Sequence, residues 1–549
     1  MIKVNISGEE YSFTVGITLN EILKNINKYD RDIIVGAIVN NQLSDLSESI
    51  SKKSTIKFLT INDEIGNRIY RRSLFMVMTK AVYELFPESK LNIEHSLSNG
   101  IYCELYKEKP LNYNDLKKIK RKMYEYVKKD LPINKVLLKK EELKEKLNEQ
   151  GYNEKIDILE FIKDNTIPVY ELEGTYDYFF YNMVPKTGML DRFDLHYRMP
   201  GFILLYPQRG NPHNIPQFKE QPKLADVFYE YERWGEVIGV ANVRDLNKMI
   251  KENKYQDLIR VNEAFHEKKI ARIADQITKN IEKNRIILIA GPSSSGKTTF
   301  AQRLAIQLRV NGVKPIAIST DNYFVNREDT PLDDEGNYDY ESIEAIDLNL
   351  FNEQILSLLQ GEKINMPTFN FHEGKRKYNN QYLQIQGEQP IIIEGIHSLN
   401  DRLTSVIPQN NKFKIYVSAL TQINIDRHNR IPTTDARLIR RIVRDHYFRN
   451  RSAAITLDWW PGVRRGEEIN IFPFQENADV MFNTALIYEF SVLKKYASPL
   501  LENIKPEENC YYQAQRLLDL LECFLVIDED DIPRVSILKE FIGDSAFSS

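Results

Sequence analysis

One segment of this chain has the residue types and the spacing needed to hold phosphate groups. It reads RIILIAGPSSSGKTTF, in which Gly291, Gly296, Lys297 and Thr298 occupy the positions of a GxxxxGK[ST] pattern. Glycines let backbone N–H groups turn toward phosphates, lysine adds a positive charge, and the hydroxyl of the last residue can ligate Mg²⁺. The pattern predicts a nucleotide cradle with ATP and Mg²⁺ as cofactors, formed by Gly291, Pro292, Ser293, Ser294, Ser295, Gly296, Lys297, Thr298 and Thr299.

Two carboxylates follow other apolar runs and could complete this chemistry. Asp321, in AISTDNYF, could accept a hydroxyl proton and help to position Mg²⁺, as phosphoryl transfer to an alcohol requires. Its alternative role is to cap a loop, as aspartate often does. Glu394, in IIIEG, stands where a metal-bearing carboxylate is expected, although acidic residues are common after apolar strands.

The third chemically informative stretch is rich in arginine and reads TTDARLIRRIVRDHYFRNR. Its spacing places Arg437, Arg440, Arg441 and Arg444 on one face of a helix, and Arg449 and Arg451 follow. Because the guanidinium fork suits phosphate oxygens, we expect a lid that closes over the transferred group. The alternative is a surface helix whose arginines pair with Asp435 and Asp445.

Aromatic residues in MPTFNFHEGKR could hold a planar base. Phe369 and Phe371 could stack on it near Arg376, although single aromatic residues more often belong to a core.

Alternating apolar runs and amphipathic segments must position these groups. Strands are predicted over 286–290, 315–320, 390–393, 413–418 and 479–482, with helices between them, including 299–310. Short continuous apolar strands suit a parallel sheet covered on both faces, whose ligands bind at the carboxyl ends of the strands. Upstream, residues 1–60 follow a β-grasp pattern, 66–85 and 116–147 are predicted to be helical, and 224–281 is mostly helical.

Composition excludes several classes of protein. The 549 residues carry a net charge of -4, so no global basic field indicates nucleic-acid binding. Cys103, Cys510 and Cys523 lack the spacing of a disulfide framework or a thiolate zinc site. Neither a signal peptide nor an apolar run of roughly 18 residues is evident, so we expect a cytoplasmic protein without a membrane partner.

Six motifs follow one another along the chain: GPSSSGKTT, STDNYF, YESIEAID, PTFNF, IIIEGIH and DARLIRRIVRDHYFRNR. In their sequence and order they resemble the uridine kinase and phosphoribulokinase family. The resemblance implies that Asp321 is the general base on a nucleoside 5′-hydroxyl and that Glu341 contacts the ribose or the metal. It also implies base-site aromatics at Phe369 and Phe371. The implied lid contacts come from Arg440, Arg441, Arg444, Arg449 and Arg451, with Arg441 and Arg376 also near the nucleoside and Thr298 and Glu394 near the metal.

This sequence departs from the family pattern at two places. Uridine kinases usually carry Tyr-Asp-Phe followed by a histidine that reads the pyrimidine, whereas this chain has Phe369-Asn370-Phe371 and Gly374 at those positions. His372 is close by but out of register. The usual aspartate of the ribose motif is Glu341 here.

The front half resembles other proteins. Residues 1–60 are similar to the TGS domain, and 66–201 resemble the second additional domain of threonyl-tRNA synthetases. The resemblance places Arg72 and Met76 where the synthetase offers the two histidines of its HxxxH motif, and neither side chain replaces a neutral imidazole as a zinc ligand. Hydrolytic tRNA editing is therefore not expected, and His95 is either structural or a ligand contact.

Together these features predict an α/β P-loop kinase domain with a parallel sheet, preceded by a TGS-like β-grasp domain and an α+β synthetase-like domain. The predicted divisions are 1–60, 61–223, a helical connector over 224–284, the kinase domain over 285–500, and a helical C-terminal segment over 501–549. The predicted function is ATP-dependent phosphorylation of a nucleoside 5′-hydroxyl, uridine or cytidine, by a homo-oligomer. The alternatives are a related kinase acting on another nucleoside or a sugar phosphate, and an ATP-switched regulator whose lysine-rich N-terminal half contacts RNA.

Overall fold

The computed structural model of the protein describes residues 1–26, 28–178, 182–333, 336–370 and 373–547. Within these ranges, no helix combines the length and the apolar composition needed to cross a lipid bilayer.

The first sixty residues form a mixed sheet crossed by one helix, as the β-grasp pattern predicts. The sheet order is β2-β1-β7-β4-β5, with β1 and β7 parallel. Helix α1 begins at a reciprocal cap, because Thr18 Oγ1 accepts from Glu21 N and Glu21 Oε2 accepts from Thr18 N. The elements are β1 (Ile2–Ile6), β2 (Glu9–Phe13), β3 (Ile17–Thr18), α1 (Leu19–Asn25), β4 (Ile34–Val39), β5 (Gln42–Ser44), β6 (Ser49–Ile50) and β7 (Ser54–Thr60).

The next region packs a long buried helix and an amphipathic helix on an antiparallel sheet of order β13-β14-β9-β8, beside a second sheet of order β10-β11-β12. Its elements are α2 (Glu64–Leu85), β8 (Lys90–Leu97), β9 (Gly100–Tyr106), α3 (Tyr113–Lys129), β10 (Asn134–Lys139), α4 (Lys140–Glu149), α5 (Asn153–Leu159), β11 (Thr166–Leu172), β12 (Thr175–Asp177), β13 (Asp194–Arg198) and β14 (Gly201–Leu205).

The predicted continuous helix over 116–147 is wrong. Helix α3 ends at Lys129, Asp130 takes a left-handed conformation with φ of 50°, and Pro132 follows. The next residues pair as strand β10 with β11, because Val136 and Leu138 alternate inward with a period of two. The high content of lysine and glutamate favoured a single helix in the prediction, whereas the structure has strand β10 between helices α3 and α4.

The lysine-rich face of α3 is partly neutralised by neighbouring carboxylates. Lys120 Nζ lies 2.6 Å from an oxygen of Asp194, and Lys122 Nζ lies 2.7 Å from an oxygen of Glu84. These pairs fit a solvated helix face better than a continuous cationic surface.

Three helices connect this region to a five-stranded sheet in which every strand is parallel, in the order β16-β19-β15-β20-β21. This confirms the predicted fold, and each predicted strand lies within two residues of an observed one. The connecting helices are α6 (Pro222–Ile238), α7 (Val243–Lys251) and α8 (Tyr255–Lys279), and the strands are β15 (Ile286–Ala290), β16 (Ile316–Ser319), β19 (Ile391–Glu394), β20 (Lys412–Ser418) and β21 (Val480–Asn483).

Helices cover this sheet, and an antiparallel hairpin of β17 and β18 projects beside it. The C-terminal helices join the same hydrophobic core as the sheet. The remaining elements are α9 (Lys297–Val310), α10 (Leu348–Leu359), β17 (Ile364–Asn370), β18 (Lys375–Leu383), α11 (Thr433–Arg449), α12 (Ala453–Asn470), α13 (Glu489–Glu502), α14 (Tyr511–Glu522) and α15 (Lys539–Ile542).

A buried network of charged groups joins the synthetase-like region to the loop that precedes α11. Lys155 Nζ lies 2.5 Å from an oxygen of Asp177 and 3.1 Å from one of Asp426, and His428 Nδ1 lies 2.6 Å from Asp177. All four side chains are at most 1% exposed. Burial alone would raise the pKa of Asp426, but Lys155 lowers it to about 2. The two regions are therefore held together by groups that each need their partner.

Candidate active site

The phosphate-binding motif forms a tight loop between the central strand β15 and helix α9. A Cβ atom at residue 291 would lie 1.9 Å from the carbonyl oxygen of Val417, so only glycine fits there. Gly296 has a φ of 80°, a left-handed conformation that glycine adopts without strain, and it caps α9. The N-terminal end of α9, whose first N–H groups have no partners within the helix, therefore begins directly at this loop.

Ser293, in the middle of the loop, is held by a buried ion pair. Glu467 Oε1 accepts from Ser293 N at 3.1 Å, Arg437 donates to Ser293 O at 3.3 Å, and Arg441 donates to Ser293 Oγ at 2.8 Å. Both terminal guanidinium nitrogens of Arg437, Nη1 and Nη2, also donate to the carboxylate of Glu467. The two residues are 1% and 0% exposed. Helices α11 and α12 thus fix the loop before any ligand arrives.

Lys297, Thr298 and Glu394 meet at the mouth of the loop. Lys297 Nζ donates to Pro292 O at 3.2 Å, and Thr298 Oγ1 donates to Glu394 Oε1 at 3.3 Å. Burial raises the pKa of Glu394 to about 7, although Lys297 acts in the opposite direction. Among the described residues, the buried Glu394 Oε2 has no hydrogen-bond partner. An orphaned carboxylate oxygen beside a threonine hydroxyl is a donor set that fits Mg²⁺.

Asp321 lies just after β16, on a 3-10 turn, at the carboxyl edge of the parallel sheet, where the loop that follows β15 also lies. Its backbone N–H binds Ser319 Oγ at 3.4 Å, whereas no described group donates to its carboxylate. Partial burial raises its pKa, and Lys297, Arg449 and Arg444 act in the opposite direction. A carboxylate that is influenced electrostatically by three cations and accepts no hydrogen bond from a described group can receive a proton or orient a hydroxyl.

Glu341 lies on the opposite wall against α12. A Cβ on Gly466 would approach the Cβ of Glu341 to 2.3 Å, so the glycine makes room for this side chain. Burial and the neighbouring Glu467 raise the pKa of Glu341 to about 7, while Arg441 and Lys297 lower it. Glu341 therefore shares charged neighbours with both the loop and the arginine helix.

The hairpin of β17 and β18 carries the predicted base-site residues. Phe369 pairs in register with Arg376, and its ring lies 5.6 Å from that of Phe324. Arg376 donates to Asp347 at 2.9 Å and to the carbonyl of Phe324, so it braces the segment after Asp321. Phe371 and His372 lie outside the described residues.

The five predicted lid arginines lie in three different environments. Arg441, Arg444 and Arg449 surround Asp445, at 3.3, 2.9 and 3.6 Å, and their charges act on the site carboxylates. Arg451 lies over the ring of Trp459, with its guanidinium carbon 4.5 Å from the ring centre.

Arg440 contradicts its predicted place in the lid. It is 0% exposed and binds Glu489 and Thr484 in the interior. Residues at i+3 and i+4 share a helix face, but Arg440 points into the core and reaches the loop only through Thr484, whose hydroxyl donates to Ser295 O at 2.6 Å.

Two site residues were missed by sequence reasoning. Glu467 lies in GVRRGEEIN, where nothing marks one glutamate as the partner of Ser293 and Arg437. Glu540, in the C-terminal segment, accepts from both Thr299 N and Thr299 Oγ1. Thr299, predicted to contact the nucleotide, therefore lies against a carboxylate.

Comparison with known proteins finds different relatives for the C-terminal and N-terminal parts of the chain. Residues 286–486 match the model of the Phosphoribulokinase / Uridine kinase family. The N-terminal region matches threonine–tRNA ligases, with 31% identity over 193 residues to that of Desulforamulus reducens and 28% over 197 residues to that of Acetivibrio thermocellus. These matches cover 35% and 36% of this chain, and the chain spans only 30% and 31% of those relatives.

Among solved structures, the chain is similar to one described as a "Possible Uridine Kinase from Bacillus stearothermophilus", with 19% identity and a TM-score of 0.26 over 38% of this chain and 97% of that one. The comparisons therefore show a match of residues 286–486 to the Phosphoribulokinase / Uridine kinase family model and a similarity of the N-terminal region to threonine–tRNA ligases.

Proposed function

We propose that the protein transfers the γ-phosphoryl group of ATP to the 5′-hydroxyl of a pyrimidine ribonucleoside, with uridine or cytidine as the acceptor. The observation that carries this proposal is the arrangement of Asp321 and Lys297. Asp321, which has no donor to its carboxylate among the described residues, follows β16 at the same edge of the sheet as the phosphate-binding loop and lies within the electrostatic influence of Lys297, as a reaction between an alcohol and a phosphate chain requires.

The side chains around the cleft divide the work. Lys297 and the loop amides hold the phosphate chain, while Arg444 and Arg449 offset negative charge as it develops. Asp321 orients the acceptor hydroxyl and takes its proton. Thr298 and Glu394 would hold Mg²⁺, which supplies Lewis-acid charge at the phosphate oxygens when bound.

The acceptor is proposed to lie between the hairpin and α12. Phe369 offers an aromatic face on the hairpin, and Glu341, on the opposite wall, offers a carboxylate that could bind ribose hydroxyls. Support for a nucleoside comes from these groups together with the family match. The same walls leave another nucleoside or a sugar phosphate as the second candidate acceptor.

An acceptor panel tests the proposal. Purified full-length protein with Mg²⁺ and ATP is assayed for ADP release with uridine, cytidine, adenosine, guanosine, inosine, ribose 5-phosphate and ribulose 5-phosphate. We expect uridine or cytidine to give the highest kcat/KM. Turnover of a sugar phosphate alone would move the assignment to the second candidate.

The acceptor panel also tests the alternative that the protein is an ATP-switched regulator that binds RNA. If no acceptor in the panel is phosphorylated and the full chain binds tRNA with an affinity that falls as salt rises, the RNA-binding alternative is favoured instead.

A further inference from the structure

The C-terminal segment lies directly on the phosphate-binding loop. Ser536, Ile537, Leu538 and Phe541 are all 0% exposed, so this part of the chain is packed rather than loosely attached. A Cβ on Gly296 would come within 2.5 Å of Ile537 Cγ2, which shows how closely the segment approaches the loop. Phe541 lies against Arg440, with the guanidinium carbon 5.0 Å from the ring centre.

From this position, Glu540 uses hydrogen-bond donors of the cradle itself. One carboxylate oxygen, Oε2, accepts from Thr299 N at 3.2 Å and from Thr299 Oγ1 at 2.7 Å. Thr299 is the third residue of α9, and its N–H is one of those that a helix N-terminus offers to anions. A carboxylate therefore occupies a position that suits a phosphate oxygen.

The occupation has an electrostatic consequence as well as a geometric one. Thr299 is 2% exposed, so its two donors have little room for a second anion beside Glu540. A fixed negative charge beside a phosphate chain also repels it, and partial burial reduces the screening of that repulsion. The Glu540 side chain, unlike its neighbours, is only partly buried and can turn toward solvent while the segment stays in place.

We infer that Glu540 competes with the nucleotide for the N–H and hydroxyl of Thr299, and that it thereby sets the affinity of the phosphate-binding loop. This inference rests on the proposed function, because it takes the occupant of the loop to be a nucleotide. Binding then requires the Glu540 side chain to leave Thr299. Glu540 thus sets affinity by opposing the ligand and is not a catalytic residue.

The test compares nucleotide binding rather than turnover. Isothermal titration with Mg²⁺·ADP is performed on the wild-type chain and on Glu540→Gln, which keeps the shape and removes the charge, and Glu540→Ala, which also removes the acceptor. Asp544→Asn is the matched control, since Asp544 pairs with Arg534 on the surface and both side chains are more than 60% exposed. Thermal unfolding confirms that each variant is folded, and Glu540→Gln decides the outcome if Glu540→Ala is not.

We expect both Glu540 variants to bind ADP about tenfold more tightly than wild type, equivalent to about 1.4 kcal/mol. Asp544→Asn should bind as wild type does, and the gain should shrink as salt rises from 50 to 500 mM. A purely structural role would instead weaken binding and show no such salt dependence.

Two results would overturn the inference in distinguishable ways. If wild type binds ADP but Glu540→Gln binds it equally or more weakly, the competition is wrong and the proposed function stands. If neither wild type nor any variant binds ADP, the nucleotide assignment fails and the inference fails with it.

Discussion

The ion pair between Arg437 and Glu467 should decide both the stability of the kinase-type domain and the shape of its loop. Arg437→Met removes the guanidinium but keeps much of the side-chain length. Glu467 would then remain fully buried, with Arg464 at 2.8 Å as its remaining cationic partner. Ser293 O would also lose its bond from Arg437.

The expected loss follows from burial. Breaking a buried ion pair by removing one partner costs about 3–5 kcal/mol, because the other charge is left uncompensated. For a domain of this size, 1 kcal/mol corresponds to roughly 2–4 °C, so the unfolding temperature should fall by roughly 6–20 °C. With Ser293 released, we expect the Kd for ADP to rise about tenfold as well.

The assay uses a reporter that lies beside the pair. Trp460 is 3% exposed, and the guanidinium carbon of Arg437 lies 5.4 Å from its ring centre, so tryptophan fluorescence follows this part of the core. The matched control is Arg465→Met on α12, the helix that carries Glu467, because Arg465 pairs with Asp333 at 3.0 Å with its side chain 47% exposed. Such surface pairs contribute roughly 0–1 kcal/mol.

The reasoning is refuted if Arg437→Met unfolds within 1–2 °C of wild type and binds ADP equally well. That result would mean that Arg464 alone satisfies Glu467 and that the loop does not depend on this brace. Equal losses in Arg437→Met and Arg465→Met would also count against it, since the effect would then not be specific to the buried pair.

Three further changes test the chemistry. Lys297→Ala should abolish turnover while leaving circular dichroism unchanged, because among the described residues its hydrogen bond is to Pro292 O alone; normal phosphorylation would exclude the cradle. Asp321→Asn should lower kcat by about 10²–10⁴-fold with little change in KM for ATP. Because the pKa of Asp321 is raised, wild-type kcat should rise with pH through a value above that of an ordinary aspartate, and a pH profile retained in the variant would contradict this. Glu394→Gln should weaken the apparent Mg²⁺ affinity about tenfold or more in titrations of turnover, and an unchanged midpoint would remove Glu394 from the metal site.

The parallel sheet was predictable because most of its strands are short apolar runs in the sequence. Residues 286–290 are completely buried, and the glycine-rich loop follows them at once. Because such strands have no face exposed to solvent, the local apolar pattern was sufficient to predict their secondary structure. The loop motif likewise carries its own geometry, since both Gly291 and Gly296 occupy positions where a side chain would collide or strain the backbone.

Helix faces were harder to interpret, because periodicity says which residues share a face but not what the face meets. Arg440 shares its face with Arg437 and Arg444, yet its partner is Glu489, 49 residues later. Arg437 similarly finds Glu467, 30 residues later. An arginine that will be buried looks the same in sequence as one that will close on phosphate.

Contacts between distant segments left no local signal at all. Glu540 reaches Thr299 across 241 residues, and no spacing rule connects them. The error over 116–147 has a different origin, since composition favoured helix there and the pairing of β10 with β11 overrode it.

The buried charges around Lys155 bear on how this protein can be divided. A fragment that begins after the synthetase-like region would lack Lys155 and Asp177 while keeping Asp426 and His428, which are now sealed from water. Engineers who wish to exchange the front half for another module would have to supply a replacement cation or recode those two positions together. The buried charges on each side of this contact therefore depend on partners supplied by the other side.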